Sequence, residues 1–313
     1  MRRLLALAVV AAAVLVPASP SGAAPLPVPY DFLLSAIQSG PNFTGNPPGA
    51  NDFSCKPSAA HPEPVIMTHG ILGDRVTNWQ TYAPLLKNNG YCVFALTYGQ
   101  SPLLPAPLNQ AFGGLTKIED SAVQLKAFVA QVLAATGAHK VDILGHSEGT
   151  VMPDYYAKYL GGAQYIDKYV SLAPLWHATS GGGLASLEEL GALEGFPNLA
   201  ILLTDAVAPA LNEMTGGSAF MTKLQAGGTT KVPGITYTNI TTKYDELVTP
   251  YTSGFETGET NLVVQDYCKL DYTEHFEIAA DPVGAALVLN ALDPAHPRPV
   301  PCRLVLPFVG TVV

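Results

Sequence analysis

The chain has 313 residues, of which 48% are hydrophobic and only 13% are charged. This composition excludes a disordered protein and is sufficient for a large buried core, in one or two domains by length alone. The formal net charge of −9 argues against nucleic acid or an anionic membrane as the main partner.

The N-terminus predicts a secretory signal peptide over residues 1–24. Arg2 and Arg3 precede an unbroken apolar run, Leu4–Val16, and small residues follow up to Ala24. The run is short for a membrane span, so an uncleaved anchor is the less favoured alternative. Cleavage would leave 14 of the 16 Lys and Arg residues against 25 Asp and Glu, a net charge of −11. We therefore expect a secreted, extracellular and monomeric protein, residues 25–313, without stable membrane insertion.

The chain has four cysteines, and an even number in an exported protein predicts two disulfides. Four cysteines permit three pairings, and we predict the two sequential ones, Cys55–Cys92 and Cys268–Cys302. A zinc site is the alternative, but no pair of cysteines or histidines has ligand spacing. We expect no bound metal.

Up to about Pro62 the chain is rich in Pro, Gly, Asn and Ser, which predicts an irregular arm with one short helix around Asp31–Ile37. From Pro64 onwards, short apolar runs alternate with helical stretches, which indicates a mostly parallel sheet with helices on both faces. The six predicted strands are Val65–Thr68, Cys92–Tyr98, Val141–Leu144, Tyr169–Leu172, Ile235–Thr241 and Leu262–Gln265.

The clearest helix begins near Ile118, because apolar residues recur there at spacings of three and four. Thr116 and Glu119 have the spacing of a capping box for this helix. Other predicted helices cover Trp79–Lys87, a stretch from about Glu148 to Leu160, and Val283–Leu292.

No strand is evident in residues 176–232. A Gly181-Gly182-Gly183 run is followed by leucines at three-residue spacing, from Leu184 to Leu193. The segment is either a helical cap inserted over one end of the sheet or a set of ordinary peripheral helices.

Gly145-His146-Ser147-Glu148-Gly149 carries the main chemical signal. The motif follows a predicted strand and opens a predicted helix, which is the setting of a nucleophile elbow. The sharp turn would present the Ser147 hydroxyl above the strand ends, beside the positive end of the next helix.

A serine nucleophile needs a base, and the base needs an acid that orients it. In such a fold both follow the serine, the acid first. His275 lies past the last strand, whereas His177 comes too early and could line the pocket, and His296 has a surface context. Asp245 follows the preceding strand and is the predicted acid, with Glu246 and then Asp205 as alternatives.

Two backbone N–H groups should stabilise the developing oxyanion. One belongs to Glu148, the residue after the nucleophile. We assign the other to Ile71, in the glycine-containing turn after the first strand. The carboxyl of Glu148 is unusual beside a nucleophile, and its orientation is left open.

The chain resembles the class 2 bacterial lipases of the α/β-hydrolase superfamily, from about Pro64 to Leu292. The resemblance is carried by Pro64–Gly73, Lys140–Gly149, Lys243–Tyr251 and Glu274–Ala279. It implies an extracellular lipase or esterase with an α/β-hydrolase fold and no cofactor, with Ser147, Asp245 and His275 as catalytic residues. Glu148 and the Trp176-His177 pair depart from the family pattern, so the acyl-chain preference stays open.

Three other functions remain compatible with these residues. A short-chain esterase or polyester depolymerase would use the same three catalytic residues, and so would an acyltransferase of the cell envelope. A non-catalytic binding protein on the same scaffold is the third. The fold by itself does not separate them.

Overall fold

The computed structural model describes residues 24–180 and 204–311. Six parallel strands form its central sheet, in the order β2-β1-β3-β4-β5-β6. The strands are β1 Val65–Thr68, β2 Val93–Leu96, β3 Val141–His146, β4 Ile166–Leu172, β5 Thr236–Thr241 and β6 Thr260–Val263. The predicted six-stranded parallel sheet is therefore confirmed. The last predicted strand was wrong at its end, because the chain turns into a helix at Val264.

Helices cover both faces of the sheet. They are α1 Phe32–Ser39, α2 Tyr82–Asn88, α3 Leu108–Ala111, α4 Ile118–Thr136, α5 Glu148–Tyr159, α6 Pro209–Glu213, α7 Ala219–Leu224, α8 Val264–Tyr267 and α9 Pro282–Leu292. Alternate residues of β1 point to opposite faces. Ile66 packs in one core with α4 and α5, and Val65 and Met67 pack in the other with α2 and α9.

The strand order reverses beside β1. The chain leaves β1 for β2 on one side and returns to β3 on the other. Connections at such a point diverge, which opens a crevice at the carboxyl ends of β1 and β3. The turn containing Ile71 follows β1, and Ser147 follows β3 directly.

The predicted capping box of α4 was wrong. The N-cap is Lys117, and no side chain of its own turn caps the helix. Instead, the Ile118 N–H donates to Oε2 of Glu213, 2.8 Å away and 95 residues later in the chain. A tertiary contact thus satisfies an N–H that a local motif was expected to satisfy.

Both predicted disulfides are present, and the described residues contain no free cysteine. Cys55–Cys92, with a Cα–Cα distance of 5.8 Å, joins the N-terminal arm to the start of β2. Cys268–Cys302, with a Cα–Cα distance of 5.0 Å, joins the segment before His275 to the C-terminal tail.

The two ends of the described chain meet. The C-terminal tail forms a hairpin, β7 Val305–Leu306 and β8 Gly310–Thr311, which the sequence analysis did not predict. The Thr311 N–H donates to the Tyr30 carbonyl, just before α1. The arm is also held to the body by Thr81, whose hydroxyl donates to the Pro29 carbonyl over 2.6 Å.

The described part of the predicted cap segment packs against α5. Lys158 donates to three carbonyl groups, those of Leu224, Ala226 and Thr229. The leucine run from Leu184 to Leu193 lies outside the described residues, as does the predicted signal peptide except for Ala24. No helix of the described ranges has the length and apolar character needed to cross a membrane.

Candidate active site

Ser147 lies at a sharp turn between β3 and α5. Its φ of 55° and ψ of −124° are unusual for a residue with a side chain, and it is only 6% exposed. A Cβ on Gly149 would lie 2.0 Å from the Thr68 carbonyl oxygen, and one on Gly145 would lie 2.3 Å from the Gly149 carbonyl oxygen. Strained backbone held by close neighbours is typical of functional positions. The turn has the form expected of a nucleophile elbow.

His275 and Asp245 extend from Ser147 as a chain of hydrogen bonds. The Ser147 Oγ is 2.9 Å from the His275 Nε2. The other ring nitrogen, Nδ1, is 2.9 and 3.0 Å from the two carboxylate oxygens of Asp245. All three side chains are buried. The structure thus brings together three residues of which the first and the last are 128 positions apart in the chain.

The Asp245 carboxylate is held by its own loop, just after β5. Its Oδ1 accepts hydrogen bonds from the N–H groups of Leu247 and Val248, at 3.1 and 2.7 Å. Glu246, the alternative acid, accepts instead from the backbone N–H of His275 over 3.3 Å. Asp205 is exposed and contacts Asn212. Only Asp245 therefore faces the imidazole ring.

The electrostatic surroundings favour protonation of His275. Burial by itself would lower the pKa of His275, but the adjacent Asp245 carboxylate, with Glu246 and Glu274, raises it above the usual histidine value. An imidazole that gains a proton from Ser147 would thus be stabilised as the imidazolium.

Polar residues that the sequence analysis missed hold the loop of His275. The Thr242 hydroxyl donates to the Thr273 carbonyl over 2.6 Å. Gln265 donates both to that hydroxyl and to the Asp271 carbonyl, at 2.9 and 3.2 Å. No sequence motif marks these residues, because each acts through a partner from another loop.

His146 and Asn78 connect the three loops of the site. The His146 Nε2 is 2.9 Å from the His275 carbonyl, and its Nδ1 is 3.1 Å from the Asn78 side chain. Asn78 also accepts the Gly70 N–H over 3.3 Å. Burial and the nearby His275 lower the pKa of His146 to about 3. The motif contained His146, but nothing in the sequence indicated Asn78.

Ile71 and Glu148 are the two residues whose backbone N–H groups were predicted to bind the oxyanion. The N–H of Leu72 donates to Gly113 and that of Gly73 to Gly70, whereas the N–H of Ile71 has no acceptor in the described ranges. Glu148 is the first residue of α5, so the helix provides no acceptor for its N–H. Neither N–H group donates a hydrogen bond to another group of the described ranges.

The Glu148 side chain is fully buried and points away from solvent. Neither carboxyl oxygen has a hydrogen-bond partner among residues 24–180 and 204–311. Burial, and secondarily the charge of Glu213, hold the pKa of this carboxyl well above its usual range. The raised pKa favours the uncharged form of this carboxyl, which lies beside the turn of Ile71.

A cavity of about 440 Å³ opens over Ser147 and His275. Apolar side chains dominate its lining, including four aromatic rings: Phe32, Phe112, Phe276 and Phe308. Its size is within the range of small-molecule sites.

His177, a possible pocket residue in the sequence analysis, is not part of the lining. Its ring is 50% exposed and 3.4 Å from Glu256. His296 is 82% exposed, as its surface context predicted. Among the described residues, no cluster of His, Cys, Asp or Glu could hold a metal ion.

Comparison with known proteins gives a family and a fold. The profile of the class 2 lipase family matches residues 62–287. A triacylglycerol lipase of Pseudarthrobacter phenanthrenivorans is 34% identical over 104 residues, which are 32% of this chain and 29% of that protein. A triacylglycerol lipase of Burkholderia plantarii is also 34% identical over 104 residues, 26% of its length. The chain thus matches less than a third of these relatives' length.

Two solved structures share the fold at low sequence identity. Lipase B of Aspergillus fumigatus gives a TM-score of 0.59 at 17% identity, over 82% of this chain and 57% of that one. The mature lipase BlEst2 of Bacillus licheniformis gives 0.54 at 16% identity, over 79% and 99%. The parallel sheet and these similarities confirm the predicted α/β-hydrolase fold. The family match covers well over half of the sequence, and the chain therefore belongs to the class 2 lipase family.

Proposed function

We propose that this protein hydrolyses carboxylic esters, most favourably those of lipids, through a covalent acyl-enzyme. The observation that carries the proposal is the hydrogen-bonded series from Ser147 to His275 to Asp245 at the floor of an apolar cavity. Family membership supports the same reaction class.

In the proposed mechanism Ser147 is the nucleophile. His275 takes the hydroxyl proton at Nε2 while Oγ forms a bond to the ester carbonyl carbon. The oxyanion accepts hydrogen bonds from the N–H groups of Ile71 and Glu148. The bond to the alcohol oxygen then breaks, and Nε2 gives its proton to the leaving alkoxide. Asp245 holds the imidazole in the required tautomer and stabilises its charged form.

Water completes the cycle by the same two steps, with water now the nucleophile and Ser147 the leaving group. His275 takes a proton from the water as its oxygen attacks the acyl carbon, and Ser147 leaves with that proton. Every step uses a group of the chain itself, so the proposal includes no metal and no organic cofactor. Lipid or other ester molecules are the proposed partners, and no nucleic acid is involved.

Triacylglycerol or a similar lipid ester is the proposed substrate. The apolar lining of the cavity favours an acyl chain over a charged group, and the two curated relatives are named triacylglycerol lipases. Relative rates on tributyrin, an emulsion of a long-chain triglyceride and a polyester film distinguish a lipase from a short-chain esterase or polyester depolymerase. Products formed with an added alcohol would reveal an acyltransferase.

We propose further that the protein is a secreted monomer, with a cleaved signal peptide at residues 1–24 and one domain at 25–313, in which residues 176–232 act as a cap. Two disulfides support an oxidising compartment. N-terminal sequencing of protein recovered from the culture medium tests the export.

Substitution of Ser147 tests the catalytic assignment. Ser147→Ala should lower the turnover of p-nitrophenyl butyrate by about 10⁶-fold and abolish labelling by a fluorophosphonate probe, with an unchanged unfolding temperature. His275→Ala should have a similar effect, whereas His296→Ala, at an exposed histidine, is the matched control and should retain activity. Full turnover by Ser147→Ala would reject the mechanism.

A further inference from the structure

One wall of the cavity comes from segments that the family profile does not match. Helix α1 contributes four lining residues and the C-terminal hairpin contributes Phe308, whereas the profile covers residues 62–287. This wall is therefore formed by N- and C-terminal segments that lie outside the part of the chain matched by the family profile.

Helix α1 is fixed beside the loop of His275. The Phe32 N–H donates to Oε2 of the buried Glu277 over 2.9 Å, and Asp31 caps the helix through the Ser35 N–H. Glu277 is only two residues after His275. The position of Phe32 is thus tied to the same loop that carries the imidazole.

Two aromatic rings extend from the imidazole along this wall. The centroid of the Phe276 ring lies 5.6 Å from that of His275, with the two planes perpendicular. The Phe32 ring follows, 5.9 Å from Phe276. Both phenyl rings are partly exposed and line the cavity. They form an apolar surface that begins beside the imidazole.

The order of proton transfers assigns a role to this surface. When the bond from the acyl carbon to the alcohol oxygen breaks, that oxygen takes the proton from the His275 Nε2. It must then be within about 3 Å of Nε2. The carbonyl oxygen is directed instead to the N–H groups of Ile71 and Glu148. The alcohol part of the ester therefore extends on the imidazole side of Ser147.

We infer that Phe32 and Phe276 form the subsite for the alcohol part of the ester, and that they favour apolar alcohols. The inference rests on the proposed ester hydrolysis and adds a specificity for the leaving group. Once the alcohol departs, the acyl-enzyme is the same for every ester of one acid. A change at Phe32 should therefore alter acylation by bulky-alcohol esters and leave deacylation unchanged.

Two substrate series separate the alcohol from the acyl group. Ethyl, hexyl and benzyl butyrate vary the alcohol, and the ethyl esters of butyric, octanoic and dodecanoic acid vary the acyl chain. Phe32→Ala should lower kcat/KM for hexyl and benzyl butyrate about tenfold relative to ethyl butyrate. The ratios among the three ethyl esters should not change, nor should the deacylation rate of the butyryl-enzyme.

Leu34→Ala is the matched control. Leu34 lies on the same helix, is 55% exposed and does not line the cavity, so its removal should leave both series unchanged. Phe32→Leu keeps an apolar side chain and gives a smaller change in the same direction. It carries the test if Phe32→Ala does not fold, as judged by near-ultraviolet circular dichroism.

The opposite pattern would overturn the inference. If Phe32 variants change the ratios among the ethyl esters and leave the butyrate series unchanged, the wall binds the acyl chain. If neither series responds, Phe32 binds no part of the substrate. Wild-type protein without activity on any of the esters would instead reject the proposed function.

Discussion

Gly114 supports the turn that carries Ile71, and its replacement by alanine should damage catalysis specifically. Its φ is +67°, and its N–H donates to the Tyr98 carbonyl over 2.8 Å. An added Cβ would lie 2.9 Å from the Ile71 Cα and 2.6 Å from the Glu148 Oε2. The end of the Glu148 side chain can move, but the Ile71 Cα moves only with the backbone of its turn.

The expected effect has two parts. A non-glycine residue in the left-handed region costs about 1–2 kcal/mol of stability. Separately, displacement of Ile71 would misplace one of the two proposed oxyanion donors. Loss of one such donor lowers kcat by about 10²–10³-fold in known enzymes. We expect Gly114→Ala to lower kcat by about 10²-fold with little change in KM, because the donor acts mainly in the transition state.

Gly137→Ala separates the two effects. Gly137 ends α4 with a φ of +80°, and a Cβ there would meet nothing within 4 Å. This variant should lose a similar 1–2 kcal/mol of stability and keep the wild-type kcat. Urea unfolding gives the free energies, and p-nitrophenyl butyrate hydrolysis well below the unfolding midpoint gives the rates. Wild-type kcat in Gly114→Ala, with the stability loss of Gly137→Ala, would refute the proposed link to Ile71.

Two more predictions concern the base and its loop. Asp245→Asn should lower kcat by about 10⁴-fold; it should also move the acidic limb of the pH–rate profile to lower pH. The active form of His275 is neutral, and in the wild type the Asp245 carboxylate raises the pKa of His275 above its usual value. Removing that charge should therefore lower this pKa, and an unmoved limb would contradict the reasoning. Replacing both Cys268 and Cys302 by serine should lower activity at temperatures where the fold is still intact, because that disulfide holds the segment just before His275. The same change in the first disulfide, which is remote in sequence from His275, is the control; activity and folding lost together would reject a local role.

Helix α4 was predicted correctly, but the group that caps its N-terminus at Ile118 was not. Apolar spacing located α4, because that pattern depends only on residues within a few turns. The capping group did not come from Thr116 or Glu119, although the local spacing fitted. Glu213 accepts the Ile118 N–H instead, and no local pattern reports a partner 95 residues away.

The candidate site likewise contains some residues that the sequence indicated and others that it did not. The motif around Ser147, and the order in which the acid and the base follow it, indicated Asp245 and His275 from the chain alone. Asn78 and Gln265 carried no such signal. Each is a common polar residue that matters only because folding buries it between loops, where its hydrogen bonds replace water.

The sequence by itself determined the alternation of strands and helices and the elbow at Ser147, because these depend on local spacing and on rules of chain order. The pairing of the four cysteines was predicted as one of three possibilities, and the structure decided it. Only the tertiary structure decided that Glu148 is buried without a hydrogen-bond partner, that His146 bonds to the loop of His275, and that Phe32 lines the cavity. Burial and contact join residues as far apart as Phe32 and Glu277. Their free energies depend on neighbours in space, which local patterns of residues do not encode.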